Sequence, residues 1–229
     1  MKLGRRLQAL YQALPGRYEQ VWDCCCDHGF LGLALLETGK AGHLTLVDQL
    51  PGLAAPLQAL MADQDPQRYR IRITDAASLT LTGCDSELVI VAGVGPDTLL
   101  SIVAGLCRGN DCRHSEFLLS PNGDILRVRQ GLQALGFALL AEGFVSERRR
   151  GYPWLRVTLS AHAATSPLSL LGEHWDLSRP DQRHYLNQLQ GHYRRRLRNP
   201  GQRQVAGEAL AACEALLTAA GRYEAAGRE

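Results

Sequence analysis

Three aspartates follow three short apolar segments in the first third of the chain: Asp23, Asp48 and Asp75. If these segments are parallel strands, the carboxylates meet at one edge of the sheet, where open α/β sheets bind their ligands. A carboxylate there can accept hydrogen bonds from both hydroxyls of a ribose, which suits Asp48, while Asp75 could reach an adenine amino group. Each aspartate could instead cap a helix, but three in register are harder to explain in that way.

The loop that begins at the first aspartate has the unusual sequence Asp23-Cys24-Cys25-Cys26-Asp27-His28. It leads from a strand into a helix, so its backbone N–H groups can face a carboxylate or a phosphate. Consecutive residues cannot readily direct three thiolates at one tetrahedral ion, and the chain has no Cys-x-x-Cys pair, so we expect no metal. The seven cysteines, an odd number, do not resemble a disulfide framework and predict a reducing, cytoplasmic setting.

Two further loops could approach a ligand closely. Ala92-Gly93-Val94-Gly95 follows a fourth apolar segment, and Pro121-Asn122 follows a fifth. Glycines such as Gly93 and Gly95 allow a ligand to lie against the backbone, although a plain turn would use the same residues.

Alternating strands and helices must position these loops. The apolar run 88–92 is typical of a strand buried on both faces, and residues 3–14 have the apolar spacing of a helix that stops at Pro15-Gly16. Similar patterns predict strands at 20–23, 43–48, 69–74 and 117–119, and helices at 31–37, 53–61, 98–107 and 125–135. Such alternation favours a parallel sheet covered by helices on both sides.

The order of elements changes after the fifth strand. Segments 137–146 and 155–159 have strand patterns with only residues 147–154 between them, too few for a crossover helix, so we expect an antiparallel hairpin at the sheet edge. A Rossmann dehydrogenase would more often continue with parallel units, and its Gly-x-Gly-x-x-Gly motif is missing. The predicted fold is therefore α/β, a Rossmann-like class I methyltransferase sheet with an antiparallel edge hairpin.

The C-terminal part of the chain has a different pattern. Residues 161–167 are small and polar like a linker, and two apolar stripes at helical spacing flank the break Asn199-Pro200-Gly201. They predict a C-terminal helical extension, an antiparallel hairpin of two helices. We expect a methyltransferase domain over residues 1–162 and the extension over residues 163–229.

Basic residues are clustered, although the net charge is only +2. The two clusters are Arg148, Arg149 and Arg150, then Arg194, Arg195 and Arg196. They fit a polyanionic partner, or else form solvated faces that aid solubility. No apolar run reaches the roughly 18 residues of a membrane span, and no signal peptide is recognisable, so we expect no membrane partner.

Taken together, the segments Asp23–His28, Ala92–Gly95 and Pro121-Asn122 resemble the TrmK family, bacterial tRNA methyltransferases that act on N1 of adenine 22. In that family the first loop reads approximately Asp-Ile-Gly-Ser-Asp-His-Ala-Tyr-Leu-Pro. The later motifs read Ala-Gly-Met-Gly-Gly and Gln-Pro-Asn, and a C-terminal helical, coiled-coil-like extension follows. Order and spacing agree over most of the chain, and the pair Asp27-His28 is the most specific element.

The resemblance assigns roles to the matching positions and to Cys25, which stands at the place of a family glycine. It implies cofactor binding by Asp23, Cys25, Asp48, Asp75, Ala92, Gly93 and Gly95, and catalytic roles for Asp27, His28 and Asn122. Asp48 stands where the family usually has Glu, and four positions depart further: Cys25 and Pro96 replace glycines, Cys26 replaces serine and Ser120 replaces glutamine. A Cβ at position 25 costs about 1 kcal/mol or more if φ is positive there.

The resemblance implies an S-adenosylmethionine-dependent enzyme that methylates N1 of an adenine in tRNA. N1 carries a free lone pair, so alignment and a polar site can suffice without a strong base. Asn122 would position the exocyclic amine and Asp27 would stabilise charge, while His28 would bind substrate or orient Asp27, unless it is simply buried.

The target base must be unpaired or flipped out, because N1 lies on its Watson–Crick edge. Tyr152 and Trp154 could stack on that base beside the first arginine cluster, unless Trp154 simply packs against the sheet. The candidate substrate contacts are Pro121, Tyr152, Trp154 and the two arginine clusters.

Two alternatives stay open. One is a cofactor- or RNA-binding module of the same fold without turnover, motivated by Cys25 and Pro96. The other is a methyltransferase that acts on a different substrate. The oligomeric state is also open, with a monomer favoured.

Overall fold

The structure, a computed structural model, describes residues 2–159 and 166–226, with the backbone alone from residue 219 onward. Its strands are β1 (Tyr18–Cys24), β2 (Ala41–Asp48), β3 (Tyr69–Ile73), β4 (Glu87–Ala92), β5 (Ser115–Ser120), β6 (Ala138–Glu147) and β7 (Arg150–Thr158). Its α-helices are α1 (Arg5–Gln12), α2 (Phe30–Glu37), α3 (Ala54–Leu60), α4 (Pro96–Gly109), α5 (Ile125–Ala134), α6 (Pro180–Arg196) and α7 (Arg203–Ala226).

The strands form one sheet in the order β3-β2-β1-β4-β5-β7-β6. Strands β1 to β5 pair in parallel, and β7 pairs antiparallel with both β5 and β6. This confirms the predicted α/β sheet with an antiparallel hairpin at its edge. The strand order reverses between β1 and β4, so a crevice for ligands is expected beyond the carboxyl ends of these two strands.

The hairpin is tighter than its prediction. β7 begins at Arg150 instead of residue 155, so the turn consists of Arg148 and Arg149, whose φ angles are 49° and 64°. Positive φ at both turn residues suits the twist of a two-residue hairpin. Arginines stand where Asn or Gly would have signalled the turn, so the sequence did not reveal it. Tyr152 and Trp154 consequently lie within a strand and not in a loop.

Apolar side chains cover both faces of the sheet. On one face, α1, α2 and α3 bury leucines such as Leu10, Leu35 and Leu57. On the other face, α4 and α5 pack against the sheet in a cluster that also contains buried residues of α6 and α7. The prediction that helices cover both sides of the sheet is confirmed.

The helices α6 and α7 form the predicted C-terminal extension and pack against each other. The hydroxyl of Tyr185 donates to the carbonyl of Gly123 (2.6 Å), and that of Tyr193 donates to the carboxylate of Asp124 (2.6 Å to Oδ2). α6 is thereby held against the loop that follows β5. The expected domain boundary between residues 162 and 163 lies outside the described residues, as does most of the expected linker over 161–167.

A buried arginine ties the segment that leads into α6 to α5 and to the sheet. Arg129 of α5 is fully buried and pairs with Glu142 of β6 (2.5 Å). The same guanidinium donates from Nε to the carbonyl of Ser169 (2.5 Å).

None of the helices in the described ranges is long and apolar enough to cross a membrane.

Candidate cofactor and substrate cleft

The loop between β1 and α2 has an unusual backbone. Cys25, Asp27 and Gly29 have φ angles of 57°, 50° and 68°. A residue other than glycine adopts this left-handed conformation at a cost of about 1–2 kcal/mol, least for Asp or Asn. Cys25 therefore keeps the backbone shape that the glycine of the resembled motif would have, and the condition set for strain at this position is met.

The cysteines of this loop are protonated thiols near neutral pH. Burial raises the pKa of Cys25 to about 11, and it also raises the pKa values of Cys24 and Cys26. The thiolate is the nucleophilic and metal-binding form of cysteine, so the environment of the loop disfavours both chemistries. Within residues 2–159 and 166–226, no group of three or more His, Cys, Asp or Glu side chains is arranged to hold a metal ion.

Asp23 forms the floor of the cleft. Its side chain is 5% exposed and accepts a hydrogen bond from the backbone N–H of Gly32 (3.0 Å). A Cβ at Gly32 would lie 3.0 Å from the Asp23 carboxylate and 2.8 Å from Leu46, so only glycine allows this approach. Burial raises the pKa of Asp23 to about 7, the Gly32 hydrogen bond opposes the shift, and Asp48 adds to it.

Asp48 connects the ends of β1 and β2. One carboxylate oxygen accepts from the backbone N–H of Asp27 (3.2 Å) and the other from that of Leu50 (3.1 Å). Asp75 is the N-cap of a short 3-10 helix, since its Oδ1 accepts from the N–H of Ala77 (2.9 Å). Both carboxylates also line one cavity. Asp75 therefore caps a helix and also faces the cavity, so the two interpretations of this residue do not exclude each other.

The loops after β4 and β5 are tied together. The side-chain amide of Asn122 donates to the carbonyl of Gly93, and the backbone N–H of Asn122 donates to the carbonyl of Val94 (2.8 Å). Gly93 has a φ of 89°, a conformation that favours glycine. Gly95 is the N-cap of α4 and Pro96 occupies the first turn of that helix, a favourable position for proline. The replacement of glycine by Pro96 is thus accommodated.

Two cavities lie along the carboxyl ends of the parallel strands, and Cys25 borders both. The first, of about 330 Å³, is lined by Asp48, Asp75 and the start of α4. The second, of about 340 Å³, is lined by Asp23, Asp27, His28, Ala92, Gly93 and residues of α1. Together they provide an elongated cleft with acidic groups in both halves.

Asp27 and His28 stand at the open side of the second cavity. Nδ1 of His28 lies 2.7 Å from the Asp27 carboxylate, and the two side chains are 68% and 69% exposed. The alternative of a buried histidine is therefore wrong. The ring of His28 stacks against that of Phe30 with 5.5 Å between centroids.

Phe30 and Arg6 are among the residues of this cavity that sequence reasoning missed. Phe30 is an exposed aromatic ring at its rim, 38% accessible, and Arg6 of α1 forms part of its wall. Phe30 sits at the tyrosine position of the resembled motif, which was a usable signal. Arg6 belongs to an N-terminal helix that no strand end precedes, so nothing in the local sequence indicated it.

The candidate RNA contacts fall into two groups. Arg148, Arg149 and Arg150 are exposed at the hairpin turn, and the nearby Glu147 lines the second cavity. Arg194 and Arg196 instead form ion pairs within the chain, with Glu214 (2.9 Å) and Asp124 (3.6 Å) respectively. Arg195 is exposed.

The aromatic candidates and Pro121 are less accessible. Trp154 packs over Gly143, where a Cβ would lie 2.6 Å from its ring, and adjoins the apolar cluster of α1. Tyr152 lies under the guanidinium of Arg6 (4.6 Å to the ring centroid), and Pro121 is buried.

The fold and this cleft define a class I methyltransferase architecture. The sequence model of the family described as "Methyltransferase domain" matches residues 3–155, and the chain belongs to that family. Comparison with curated protein sequences gives no significant match.

Solved structures share the fold over nearly the whole chain. A Streptococcus agalactiae protein of the NADB-Rossmann superfamily is 17% identical, with a TM-score of 0.76 and coverage of 95% of this chain and 98% of its own. TrmK of M. capricolum in complex with S-adenosylhomocysteine is 14% identical, with a TM-score of 0.73 and coverage of 95% of this chain and 99% of its own. The B. subtilis m1A22 tRNA methyltransferase TrmK is 15% identical, with a TM-score of 0.71 and coverage of 95% of this chain and 96% of its own.

These likenesses extend across the C-terminal helices, because almost all of each compared chain is covered. At this level of identity they establish the fold.

Proposed function

We propose that the protein is an S-adenosylmethionine-dependent methyltransferase that modifies N1 of an adenine in tRNA, at position 22 as the resemblance implies. The observation that carries the proposal is the bipartite cleft, in which Cys25 separates a cavity bearing Asp48 and Asp75 from a cavity bearing Asp23 and the Asp27–His28 pair. The structurally similar TrmK of M. capricolum was solved with S-adenosylhomocysteine. A tRNA substrate places the activity in the cytoplasm.

The residues present fit this cofactor. A nucleoside needs acceptors for ribose hydroxyls and an adenine amine, which Asp48 and Asp75 would supply in the first cavity. An amino-acid group needs an acceptor for its ammonium, which Asp23 would supply in the second. The cofactor supplies an electrophilic methyl group when bound.

The chain's own residues would align the acceptor base. The amide nitrogen of Asn122 is committed to the carbonyl of Gly93, so its oxygen is left to accept an N–H from an exocyclic amine. The carboxylate of Asp27 would stabilise the positive charge that methylation leaves on adenine. Phe30, exposed beside His28, offers a ring on which an unpaired base can stack.

Cys25 and Pro96 were the reason to consider a binding module without turnover, and the structure accommodates both residues. Cys25 adopts the glycine-like backbone and leaves cavities on both sides, while Pro96 starts a helix. We therefore infer an active enzyme.

The test is to incubate the purified protein with bulk tRNA and methyl-labelled S-adenosylmethionine, and then to map the modified base. N1-methyladenine is the expected product. Asp48→Ala should lower cofactor affinity while the fold stays intact, as judged by circular dichroism. Cofactor binding without methyl transfer to any tRNA would contradict the proposed reaction, and label found only in another class of molecule would contradict the substrate.

A further inference from the structure

Arg6 and His28 are the basic side chains that line the second cavity within the described residues, and Arg6 is the more buried of the two. Arg6 extends from the first turn of α1 toward the ends of three strands. Its guanidinium lies over the ring of Tyr152 (4.6 Å), and Nη2 lies 3.4 Å from the carbonyl of Ser120. A Cβ on Gly93 would be 3.3 Å from Nη2, so the absent side chain at position 93 makes room for this group.

The hydrogen-bonding capacity of Arg6 is largely unused. A guanidinium has five N–H donors, and the one hydrogen bond that this guanidinium donates within the described structure, to the carbonyl of Ser120, is long at 3.4 Å. Its Nε is buried and has no partner among the described residues, and Arg6 forms no ion pair there either. Burial lowers the pKa of Arg6, an effect that Tyr152 and Glu147 oppose.

The Glu147 carboxylate lines the same cavity and favours the charged form of Arg6, but the guanidinium forms no ion pair with it. A half-buried cation without an ion-pair partner is costly unless a ligand supplies the anion. Asp23 lines the same cavity as Arg6. The cavity, which Asp27 and Glu147 also line, thus presents carboxylates and a guanidinium to one ligand, and this combination matches the ammonium and the carboxylate of an α-amino acid.

We infer that Arg6 binds the α-carboxylate of the amino-acid portion of S-adenosylmethionine. The inference rests on the proposed function and adds a cofactor-binding residue from outside the strand-end motifs. The main competing ligand is a phosphate of the RNA. The shared cavity with Asp23 favours the carboxylate, because an amino acid satisfies both side chains at once.

The experiment compares two ligands that differ by one carboxylate. Calorimetry would measure the Kd of S-adenosylmethionine and of its decarboxylated analogue for the wild type and for Arg6→Gln, Arg6→Lys and Arg5→Gln. Arg5 is the matched control, since it is the neighbouring arginine of α1 and is exposed. Circular dichroism would establish that each variant is folded.

Arg6→Gln should raise the Kd of S-adenosylmethionine about 10- to 100-fold, as expected for the loss of a charge-assisted hydrogen bond. The Kd of the decarboxylated analogue should stay within about twofold of its wild-type value. Arg6→Lys should lose less, and Arg5→Gln should change neither Kd. The inference is overturned if Arg6→Gln leaves the S-adenosylmethionine Kd unchanged, including the case in which only the KM for tRNA rises. It is also overturned if Arg6→Gln raises the Kd of both ligands by the same factor. A wild type that binds neither ligand would refute the proposed function itself.

Discussion

A carboxyl group buried at the floor of a ligand cleft, as Asp23 is, makes stability and binding depend on pH. Burial raises its pKa to about 7, from about 3.9 in an unfolded chain. The folded protein therefore keeps a proton that the unfolded chain releases. The stability contributed by that proton is fully present below about pH 4 and is lost as the pH rises through about 7.

We predict that Asp23→Asn removes this dependence. The free energy of unfolding of the wild type should fall between about pH 4 and pH 7 more steeply than that of the variant, because asparagine does not titrate. Urea unfolding at a series of pH values measures the difference. Asp63→Asn, at an exposed carboxylate, is the control and should follow the wild type. Parallel curves for wild type and Asp23→Asn would contradict the raised pKa.

Cys25 allows a test of the left-handed backbone. Cys25→Gly should raise the free energy of unfolding by about 0.5 kcal/mol, because the relief of about 1–2 kcal/mol of strain exceeds the entropy cost of glycine. Cys26→Gly is the matched control and should lower it by about 1 kcal/mol, since Cys26 is not among the positive-φ residues. Thermal or urea unfolding measures both. Equal destabilisation by the two changes would exclude strain at Cys25.

Residues of the site were predictable where they follow strands and were missed where tertiary packing brings them in. Asp23 and Asp48 lie at the carboxyl ends of β1 and β2, and Asp75 follows β3. They are not in the expected register, because Asp23 pairs with Leu46 and Asp48 with Ile73, but a parallel sheet still brings these strand ends to one edge. Arg6 reaches the same cavity from a helix packed across the strand ends. No local pattern encodes that approach, because it depends on how α1 sits on the finished sheet.

Among the elements, the strands and helices of the sheet were predictable because each carries its own apolar period. The hairpin turn was not, since the backbone conformation of Arg148 and Arg149 is imposed by the pairing of β6 with β7 and not by residue type. The packing of α6 against the loop after β5 could not be predicted from the sequence either. It rests on hydroxyl groups of Tyr185 and Tyr193, which the sequence shows only as part of an apolar stripe.

The docking of α6 can be tested by removing one oxygen atom. Tyr193→Phe should lower the free energy of unfolding by about 1–2 kcal/mol, because Asp124 loses a hydrogen bond while it still caps α5. Tyr69→Phe is the matched control, as Tyr69 is half-buried and its hydroxyl has no hydrogen-bond partner in the described structure. Chemical unfolding measures both. Equal effects of the two substitutions would show that the Asp124 contact does not hold α6.

At the scale of the whole molecule, the groups proposed to bind cofactor and RNA share one edge of the sheet. β7 runs antiparallel to β5, with Leu155 opposite Leu119, so the turn at Arg148 and Arg149 projects beyond the carboxyl end of β5. That is the edge where the cleft opens. Arg194 and Arg196 are held in ion pairs within the chain. The hairpin arginines, exposed and without ion pairs among the described residues, are thus the better candidates for phosphate contacts.

The combined change Arg148→Gln, Arg149→Gln and Arg150→Gln should therefore weaken tRNA binding and reduce its salt dependence. Each phosphate contact contributes about 0.7–0.9 to the slope of log K against log salt, so three lost contacts reduce the slope by about 2. Fluorescence anisotropy with labelled tRNA over a range of salt concentrations measures the slope. Arg17→Gln is the control, since Arg17 is exposed just before β1, at the opposite edge. An unchanged slope in the triple variant would mean that RNA does not contact the hairpin.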